Sequence, residues 1–305
     1  MTQDLEARLL LDCRCELGEG IQWRGDTQRL YWTDIHGKRF WSCDAEGGAV
    51  ETLDLPERLG CFAFDPAGAI LAAFESGLFR VDPATWKRER LSAFEPEHPT
   101  TRYNDGRCDR QGRFLAGGMN EDGLKPVSSL TRYGAAEGVE TLGVEILAAG
   151  IGCSNAIAFS PDGRRLYFAD TPARTIWAYD YDPAGGPLGL RAVFAEMAGD
   201  EGFPDGACVD AEGRLWNAQF NGARVQCFTA DGERRTRVRL PVPQVTCCCF
   251  GGPDLDRLYI TTARENMGED EIAAAPLSGS LFVAEPGAKG LEEVRFATPL
   301  FVPEG

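Results

Sequence analysis

The chain has 305 residues and a formal charge of −16 at pH 7. That length suits one large domain or two small ones. A strongly acidic surface repels phosphate backbones and anionic lipids, so neither nucleic acid nor a membrane is expected as a partner. The first residues lack the basic start and apolar core of a secretion signal, and no apolar run reaches membrane-spanning length. We therefore expect a cytoplasmic protein.

A pattern of an apolar strand, a turn and a second strand rich in aromatic or β-branched residues recurs six times along the chain. Its spacing of about 40 to 50 residues is typical of β-propeller blades. The repeat is clearest from Asn155 to Phe194, where short strands alternate with turn residues. We predict an all-β fold, a six-bladed β-propeller with four-stranded antiparallel blades and a central channel. Residues 1–305 are expected to form this single domain.

Polar residues occupy the same position in several repeats, four residues before the last apolar residue of the first strand. These register positions are Glu19, Gly60, Asn104, Asn155, Asp205 and Thr246. Because the innermost strands of a propeller run in the same direction around its channel, the register positions should converge at one end of it. Asn and Asp before a strand are also ordinary turn residues. Turn chemistry does not explain a shared register, so we favour a functional site.

The cysteines and histidines do not suggest a disulfide framework or a zinc site. None of the eleven cysteines forms a Cys-x-x-Cys pair. Six fall on predicted inner strands, where cysteine acts as a small buried apolar residue: Cys61, Cys108, Cys208 and Cys247 to Cys249. The two histidines, His36 and His98, are predicted in exposed loops. The chemistry should then depend on carboxylates, amides, arginine and a metal ion.

Tryptophans on the predicted strands offer a possible sugar-stacking platform, but their positions repeat between blades. Such a repeat favours packing between blades over ligand binding. The residues concerned are Trp23, Trp32, Trp177 and Trp216.

Five segments, spread in order over residues from about 15 to 263, carry the pattern of a known family. They are Leu17–Gly20; Arg102–Gly106; Ser154–Asn155 with Ser160–Gly163; Pro204–Gly206 with Asp210–Trp216; and Phe250–Asp256 with Leu258–Ala263. They resemble the SMP-30/gluconolactonase/regucalcin family of sugar lactonases. The resemblance implies a six-bladed propeller that hydrolyses aldonolactones with one divalent metal ion in its channel.

Carried over position by position, the family's metal ligands fall on Glu19, Asn155 and Asp205. Oxygen ligands of this kind suit calcium, magnesium or manganese, and also iron or zinc in an open site, so ligand type does not choose the metal. The cation would polarise the lactone carbonyl and lower the pKa of a water molecule. The resemblance makes Asp205 the general base.

The family's sugar-contacting arginine and asparagine correspond to Arg102 and Asn104. An arginine here could instead pair with a neighbouring carboxylate such as that of Asp105. The family also places an acidic substrate contact after the next strand, and both Glu121 and Asp122 fit that position.

The sequence departs from the family pattern at Ile21, where proline is usual, and at Ala156, where glycine is usual. Neither change removes a predicted ligand. We predict a metal-dependent hydrolase that opens the ester ring of a sugar aldonolactone to the free aldonic acid. Its partner is the small-molecule lactone, and the protein should be a monomer or weak oligomer.

Two other functions fit the same predicted fold. The first keeps the metal site but acts on an organophosphate or aryl ester, and the second is a metal-binding propeller without turnover. The acidic residue Asp205 favours an enzyme, and Arg102 with Asn104 favours a polyol substrate over an apolar ester.

Overall fold

The chain forms a six-bladed β-propeller, seen in a computed structural model that describes residues 3–135 and 142–297. The predicted fold is therefore confirmed. The predicted domain of residues 1–305 also includes residues 1–2, 136–141 and 298–305, which lie outside the described residues.

The blades follow one another along the chain after two N-terminal strands, β1 (Gln3–Glu6) and β2 (Arg8–Leu11). Blade 1 contains β3 (Gly18–Arg24), β4 (Arg29–Asp34), β5 (Arg39–Asp44) and β6 (Glu51–Asp54). Blade 2 contains β7 (Leu59–Phe64), β8 (Ile70–Phe74), β9 (Gly77–Val81) and β10 (Arg88–Ala93). Blade 3 contains β11 (Thr101–Cys108), β12 (Phe114–Asn120), β13 (Ser128–Ala135) and β14 (Leu142–Ile151).

The remaining blades complete the ring. Blade 4 contains β15 (Ser154–Phe159), β16 (Arg165–Asp170), β17 (Thr175–Asp180) and β18 (Arg191–Glu196). Blade 5 contains β19 (Phe203–Val209), β20 (Leu215–Phe220), β21 (Arg224–Phe228) and β22 (Arg234–Arg239). Blade 6 contains β23 (Val245–Gly251), β24 (Arg257–Thr262) and β25 (Leu281–Ala284), with the short helix α1 (Glu269–Ala274) between the last two strands.

The N-terminal strands join the last two blades. Strand β2 pairs antiparallel with β25 and so supplies the outer strand of blade 6. Strand β1 pairs in parallel with β22 and adds a fifth strand to blade 5. Asp4 reinforces this contact, because its carboxylate accepts hydrogen bonds from Arg237 at 2.9 Å and from Arg239 at 2.8 Å. The N-terminal segment therefore completes blade 6 and extends blade 5.

The first strand of each blade is innermost, and every side chain of β7, β15 and β23 is buried. Side chains of a strand alternate between its two faces, so each inner strand packs against both neighbouring blades. The six cysteines predicted on inner strands are buried and free, as predicted. Among the four tryptophans, Trp23, Trp32 and Trp216 are buried in the core, whereas Trp177 is only partly buried.

Each inner strand contains a register shift near its start, where the pairing with the second strand skips residues. The shifts lie between Glu19 and Gln22, Leu59 and Cys61, Tyr103 and Gly106, Asn155 and Ala158, Pro204 and Ala207, and Val245 and Cys247. A bulge of this kind bends the strand and redirects a side chain. The shift therefore occurs at the register position, or beside it, in every blade.

Two bulges place a residue in the left-handed region, Gly20 with φ 61° and Ala156 with φ 57°. An L-residue in this conformation costs about 1–2 kcal/mol relative to glycine. The departure from the family pattern at Ala156 therefore adds strain next to Asn155. Ile21, the other departure, is fully buried.

In the described part of the chain, no helix combines the length and apolar character needed to cross a membrane.

Candidate active site

A cavity of about 470 Å³ lies at the end of the channel where the inner strands begin. That volume suits a small organic molecule. Four of the six register positions line it, namely Glu19, Asn104, Asn155 and Asp205. The predicted convergence of these side chains is confirmed, and their roles as metal ligands or substrate contacts stay predictions.

The other two register positions are used for packing. A Cβ atom added to Gly60 would lie 2.4 Å from the carbonyl oxygen of Tyr103, so blade 2 has no room for a side chain there. Thr246 is fully buried, and its hydroxyl donates to the carbonyl oxygen of Gly18 at 2.5 Å. The polar groups of the cavity floor therefore come from blades 1, 3, 4 and 5.

Several lining residues come from a second source, the end of the second strand of a blade and the connection after it. In an antiparallel blade the second strand ends where the first begins, so this connection reaches the same end of the channel. The residues are Thr171 and Pro172 after β16, Phe220 and Asn221 at the end of β20, and Glu265 and Asn266 after β24. These residues were not among the predicted site residues, although the repeat of the blades contained the signal for them.

Glu19 and Asp205 bring two buried carboxylates to this cavity. Burial and repulsion from Asp105 raise the pKa of Glu19 to about 8. Burial and repulsion from Glu19 raise the pKa of Asp205 well above its ordinary value. Each carboxylate accepts a hydrogen bond from the next backbone amide, that of Gly20 at 3.0 Å and that of Gly206 at 3.1 Å. Ionising both groups is costly unless a cation lies between them.

The side-chain amide of Asn155 has a fixed orientation. The Thr171 hydroxyl donates to the carbonyl oxygen of Pro204 at 3.1 Å, and it accepts a hydrogen bond from Asn155 Nδ2 at 2.8 Å. Because the hydroxyl hydrogen is used on Pro204, Thr171 can only accept from Asn155. The amide nitrogen therefore points to Thr171, and the amide oxygen lies on the side of Asn104, another residue of the cavity lining, whose Nδ2 donates to it at 3.4 Å.

These observations fit a divalent cation held by Glu19, Asp205 and the amide oxygen of Asn155. Within the described ranges, no group of three or more His, Cys, Asp or Glu side chains is placed to hold a metal ion. The two carboxylates therefore need an amide oxygen to complete a set of three. Oxygen-only sets of this kind are typical of hard divalent cations.

We expect the substitution Thr171→Val to weaken binding of a divalent cation by about 10-fold to 100-fold, the usual effect of removing a residue that orients a ligand. Valine has a similar shape but offers no acceptor to Asn155 Nδ2. Calorimetric titration of the chelated protein with manganese would measure the loss. Thr171→Ser keeps the hydroxyl and is the matched control. Equal affinity in the valine and serine variants would contradict this role for Thr171.

Arg102 is almost fully buried, with only 2% of its surface exposed. Its Nη1 donates to Asn104 Oδ1 at 2.9 Å and to the carbonyl oxygen of Tyr103 at 2.9 Å. Its Nε donates to Glu121 Oε1 at 3.2 Å. The ion pair of Arg102 is therefore with Glu121, and the alternative pairing with Asp105 is not seen.

The two acidic candidates after β12 have different surroundings. Glu121 also accepts from both terminal nitrogens of Arg58, at 2.5 and 2.9 Å. Burial opposes ionisation of Glu121, but the hydrogen bonds and positive charges of Arg58 and Arg102 outweigh it and lower its pKa. Asp122 is largely exposed and pairs with Lys125 at 2.5 Å. Glu121 is thus joined to the cavity through Arg102, whereas Asp122 lies on the surface.

Asp105 links blade 3 to the bulge of blade 4. Its Oδ2 accepts the backbone N–H of Ile157 at 2.9 Å, and its Oδ1 accepts that of Gly106 at 2.8 Å. Because Ile157 lies within the bulge that follows Asn155, Asp105 supports the conformation that presents Asn155 to the cavity. Sequence reasoning considered Asp105 only as a partner for Arg102.

Apolar side chains form much of the remaining cavity wall: Leu17, Met119, Leu124, Pro172, Phe203 and Phe220. Cys153 also lines the cavity, and burial raises the pKa of its thiol to about 12. Cys153 is therefore a neutral thiol, and neither a thiolate ligand nor a nucleophile is expected there.

Glu265 adds a further carboxylate to the cavity wall, beside the predicted ligands. Its Oε1 accepts a hydrogen bond from His36 Nε2 at 2.7 Å. His36 lies in a turn, as predicted, but the predicted exposure was wrong, because its side chain is only 20% exposed and is hydrogen-bonded to Glu265. His98 is exposed, as predicted.

Comparisons with known proteins show the family to which the chain belongs. Residues 17–264 match the model of a protein family that is described as SMP-30/gluconolactonase/LRE-like region. The chain is 39% identical to an L-arabinolactonase from Azospirillum brasilense over 96% of each chain. It is also 39% identical to a 6-deoxy-6-sulfogluconolactonase from Pseudomonas putida, over 92% of this chain and 95% of that protein.

A solved structure gives the same result at the level of the fold. The crystal structure of a calcium-binding protein, regucalcin from Agrobacterium tumefaciens, matches with a TM-score of 0.89 at 31% identity, covering 97% of this chain and 99% of that one. The match to the family model over most of the chain, and relatives of this similarity over nearly its full length, identify the protein as a member of the SMP-30/gluconolactonase/LRE-like family.

Proposed function

We propose that this protein is a sugar lactonase that hydrolyses the ester ring of an aldonolactone to the free aldonic acid and depends on a divalent cation. The observation that carries the proposal is the convergence of Glu19, Asn155 and Asp205 with Arg102 and Asn104 on one cavity. Full-length relatives at 39% identity are named as sugar lactonases, one for a neutral sugar lactone and one for a sulfonated one.

Glu19, Asn155 and Asp205 would hold the cation through their side-chain oxygens. When bound, a divalent cation polarises a carbonyl group and makes a nearby water more acidic. The protein's own contribution is to place two buried carboxyl groups at one cavity, where burial and mutual repulsion oppose their ionisation until a cation binds, and to orient the side-chain amide of Asn155 beside them. Both features are built into the bulges of the inner strands.

Asp205 is the general base in this proposal. Its carboxylate accepts a proton from the water that attacks the lactone carbonyl carbon, and the bond from that carbon to the ring oxygen then breaks. The same proton passes to the departing ring oxygen, so lactone plus water gives one hydroxy acid. The backbone of Asp205 is held for this role, since its carbonyl oxygen accepts a hydrogen bond from Asn217 at 2.7 Å.

Arg102 and Asn104 would orient the sugar ring. Among the described residues, Nη2 of Arg102 has no hydrogen-bond partner, so it can donate to a substrate hydroxyl or carbonyl. Neither Glu121 nor Asp122 lines the cavity, and Glu121 acts from behind Arg102, where it keeps the guanidinium in place rather than touching the sugar itself. The apolar wall, including Phe203 and Phe220, would contact the C–H faces of the ring.

The same apolar wall favours one other candidate, hydrolysis of an aryl ester or organophosphate. Assaying a panel of aldonolactones beside phenyl acetate and paraoxon, with and without chelator, separates the two. The proposal expects turnover of at least one aldonolactone that chelation abolishes, and slower turnover of the other esters. No turnover of any aldonolactone, or turnover that chelation leaves unchanged, would contradict it.

A further inference from the structure

The charges around the cavity are unevenly distributed. Three carboxylates line it, those of Glu19, Asp205 and Glu265, whereas Arg102 is its only lysine or arginine within the described ranges. A divalent cation would balance Glu19 and Asp205, and Glu121 already balances Arg102. Glu265 is therefore a carboxylate on the cavity wall without a lysine or arginine beside it on that wall.

The position of Glu265 is fixed from several sides. Its Oε1 can only accept, so His36 Nε2 must carry the proton of their 2.7 Å hydrogen bond. The backbone carbonyl of Glu265 accepts from the side chain of Gln244 at 2.9 Å. The turn that carries His36 is itself held by Asp34, which accepts the backbone N–H groups of Leu17 and Gly37, each at 3.0 Å.

One oxygen of Glu265 remains available to a ligand. In the described residues Oε2 of Glu265 has no hydrogen-bond partner, and the side chain as a whole is 26% exposed. A carboxylate oxygen at a cavity wall accepts hydrogen bonds from hydroxyl groups and repels other anions. Carboxylates are also the natural acceptors for a polyol, because each hydroxyl of a sugar can donate.

We propose that Glu265 is a substrate-contacting specificity residue that selects neutral lactones and rejects lactones that carry a carboxylate, sulfonate or phosphate. His36 is a positioning residue that orients the Glu265 carboxylate without touching the substrate. This inference rests on the proposed lactonase function and narrows its substrate class. A neutral polyol donates a hydroxyl to Glu265 Oε2, whereas an anionic substituent beside Glu265 meets a like charge, and the arginine of the cavity lining, Arg102, is already paired with Glu121.

The test compares two substrates that differ in one group. D-glucono-γ-lactone is neutral, and D-glucaro-γ-lactone carries a carboxylate in place of its hydroxymethyl group. We expect the metal-loaded wild-type protein to prefer the neutral lactone by about tenfold or more in kcat/KM, since a like charge at close range costs about that much. The difference should lie mainly in KM and should narrow as salt screens the repulsion.

Two variants test whether Glu265 causes the preference for the neutral lactone. Glu265→Gln keeps the size and the acceptor oxygen but removes the charge, so it should shrink the preference about fivefold or more by lowering KM for the anionic lactone. Glu269→Gln removes one exposed acidic charge from α1, outside the cavity lining, and should leave the preference unchanged.

The role of His36 is tested separately. His36→Ala should raise KM for the neutral lactone with little change in kcat, and His36→Gln should restore it, because glutamine can donate to Glu265 Oε1. A purely structural role would lower kcat and the melting temperature in both variants.

The results that would overturn this inference differ from those that would overturn the proposed lactonase function. Equal kcat/KM for the two lactones in the wild-type protein, at low salt, would overturn the inference and leave the lactonase function standing. An unchanged preference in Glu265→Gln would do the same. Hydrolysis of neither lactone, nor of any other aldonolactone, would overturn both.

Discussion

Replacing Asp205 by asparagine is expected to lower kcat for lactone hydrolysis by between about a hundredfold and about ten-thousandfold, the usual contribution of a general base. Asparagine has the same shape but does not accept a proton from water at neutral pH. The metal-free variant should be at least as stable as the wild-type protein, because burial and repulsion from Glu19 disfavour the ionised Asp205. Loss of activity and retained stability would thus occur together.

Steady-state kinetics and thermal melting in chelated buffer would measure the two effects. Glu269→Gln is the control, since it also removes one acidic charge but lies outside the cavity lining. Activity of Asp205→Asn within a few-fold of the wild-type value would show that another group acts as the base.

Binding of a divalent cation should stabilise the folded protein, and the size of this stabilisation should depend on pH. We expect a divalent cation to stabilise the chelated protein by about 2.7 kcal/mol when its free concentration is about one hundred times its Kd. The stabilisation should grow between about pH 5 and about pH 8 because the cation requires ionised Glu19 and Asp205, and its binding releases their protons. Thermal melting with and without manganese across this range would measure it.

The sign follows from the pKa of Glu19, which is raised from an ordinary value of 4.5 to about 8 in the folded protein. Between these values the folded state keeps a proton that the unfolded state has lost, so the metal-free protein loses stability as pH rises. Below 4.5 both states are protonated and the effect disappears. Glu19→Gln should remove Glu19's part of this slope, and an unchanged slope in that variant would contradict the assignment.

Much of the fold and the cavity floor could be predicted because the six blades repeat one pattern of strands and turns. The period gave six blades, and the register within the inner strand placed Glu19, Asn104, Asn155 and Asp205 at one cavity. Inner strands run in the same direction around the channel, so residues at equivalent positions of these strands lie at the same end of it.

Site residues outside the inner strands could not be predicted from the register of those strands, because they lie at the ends of the second strands and in the connections that follow. The connections after the second strands reach the same end, and they supply Thr171, Glu265 and Asn266. The partial burial of His36 could not be predicted from its own blade, since its partner Glu265 lies 229 residues away in the sequence. The pairing of Arg102 with Glu121 rather than Asp105 likewise depends on which groups the Asp105 carboxylate accepts from, the backbone of Gly106 and Ile157.

Ala156 departs from the family pattern, and this departure costs conformational energy in the folded backbone. The bulge requires a left-handed residue after Asn155, and alanine adopts that conformation with φ 57°. Glycine has no Cβ atom and adopts this conformation without strain, so the backbone explains why glycine would suit the position better than alanine.

Reconstitution of the chelated protein with individual divalent cations, while hydrolysis of an aldonolactone is followed, tests the central claim most directly. We expect no hydrolysis without a cation, recovery that saturates near a single bound equivalent, and no recovery in Glu19→Gln or Asp205→Asn. Full hydrolysis by protein shown to be free of metal, or equal recovery in those two variants, would contradict it.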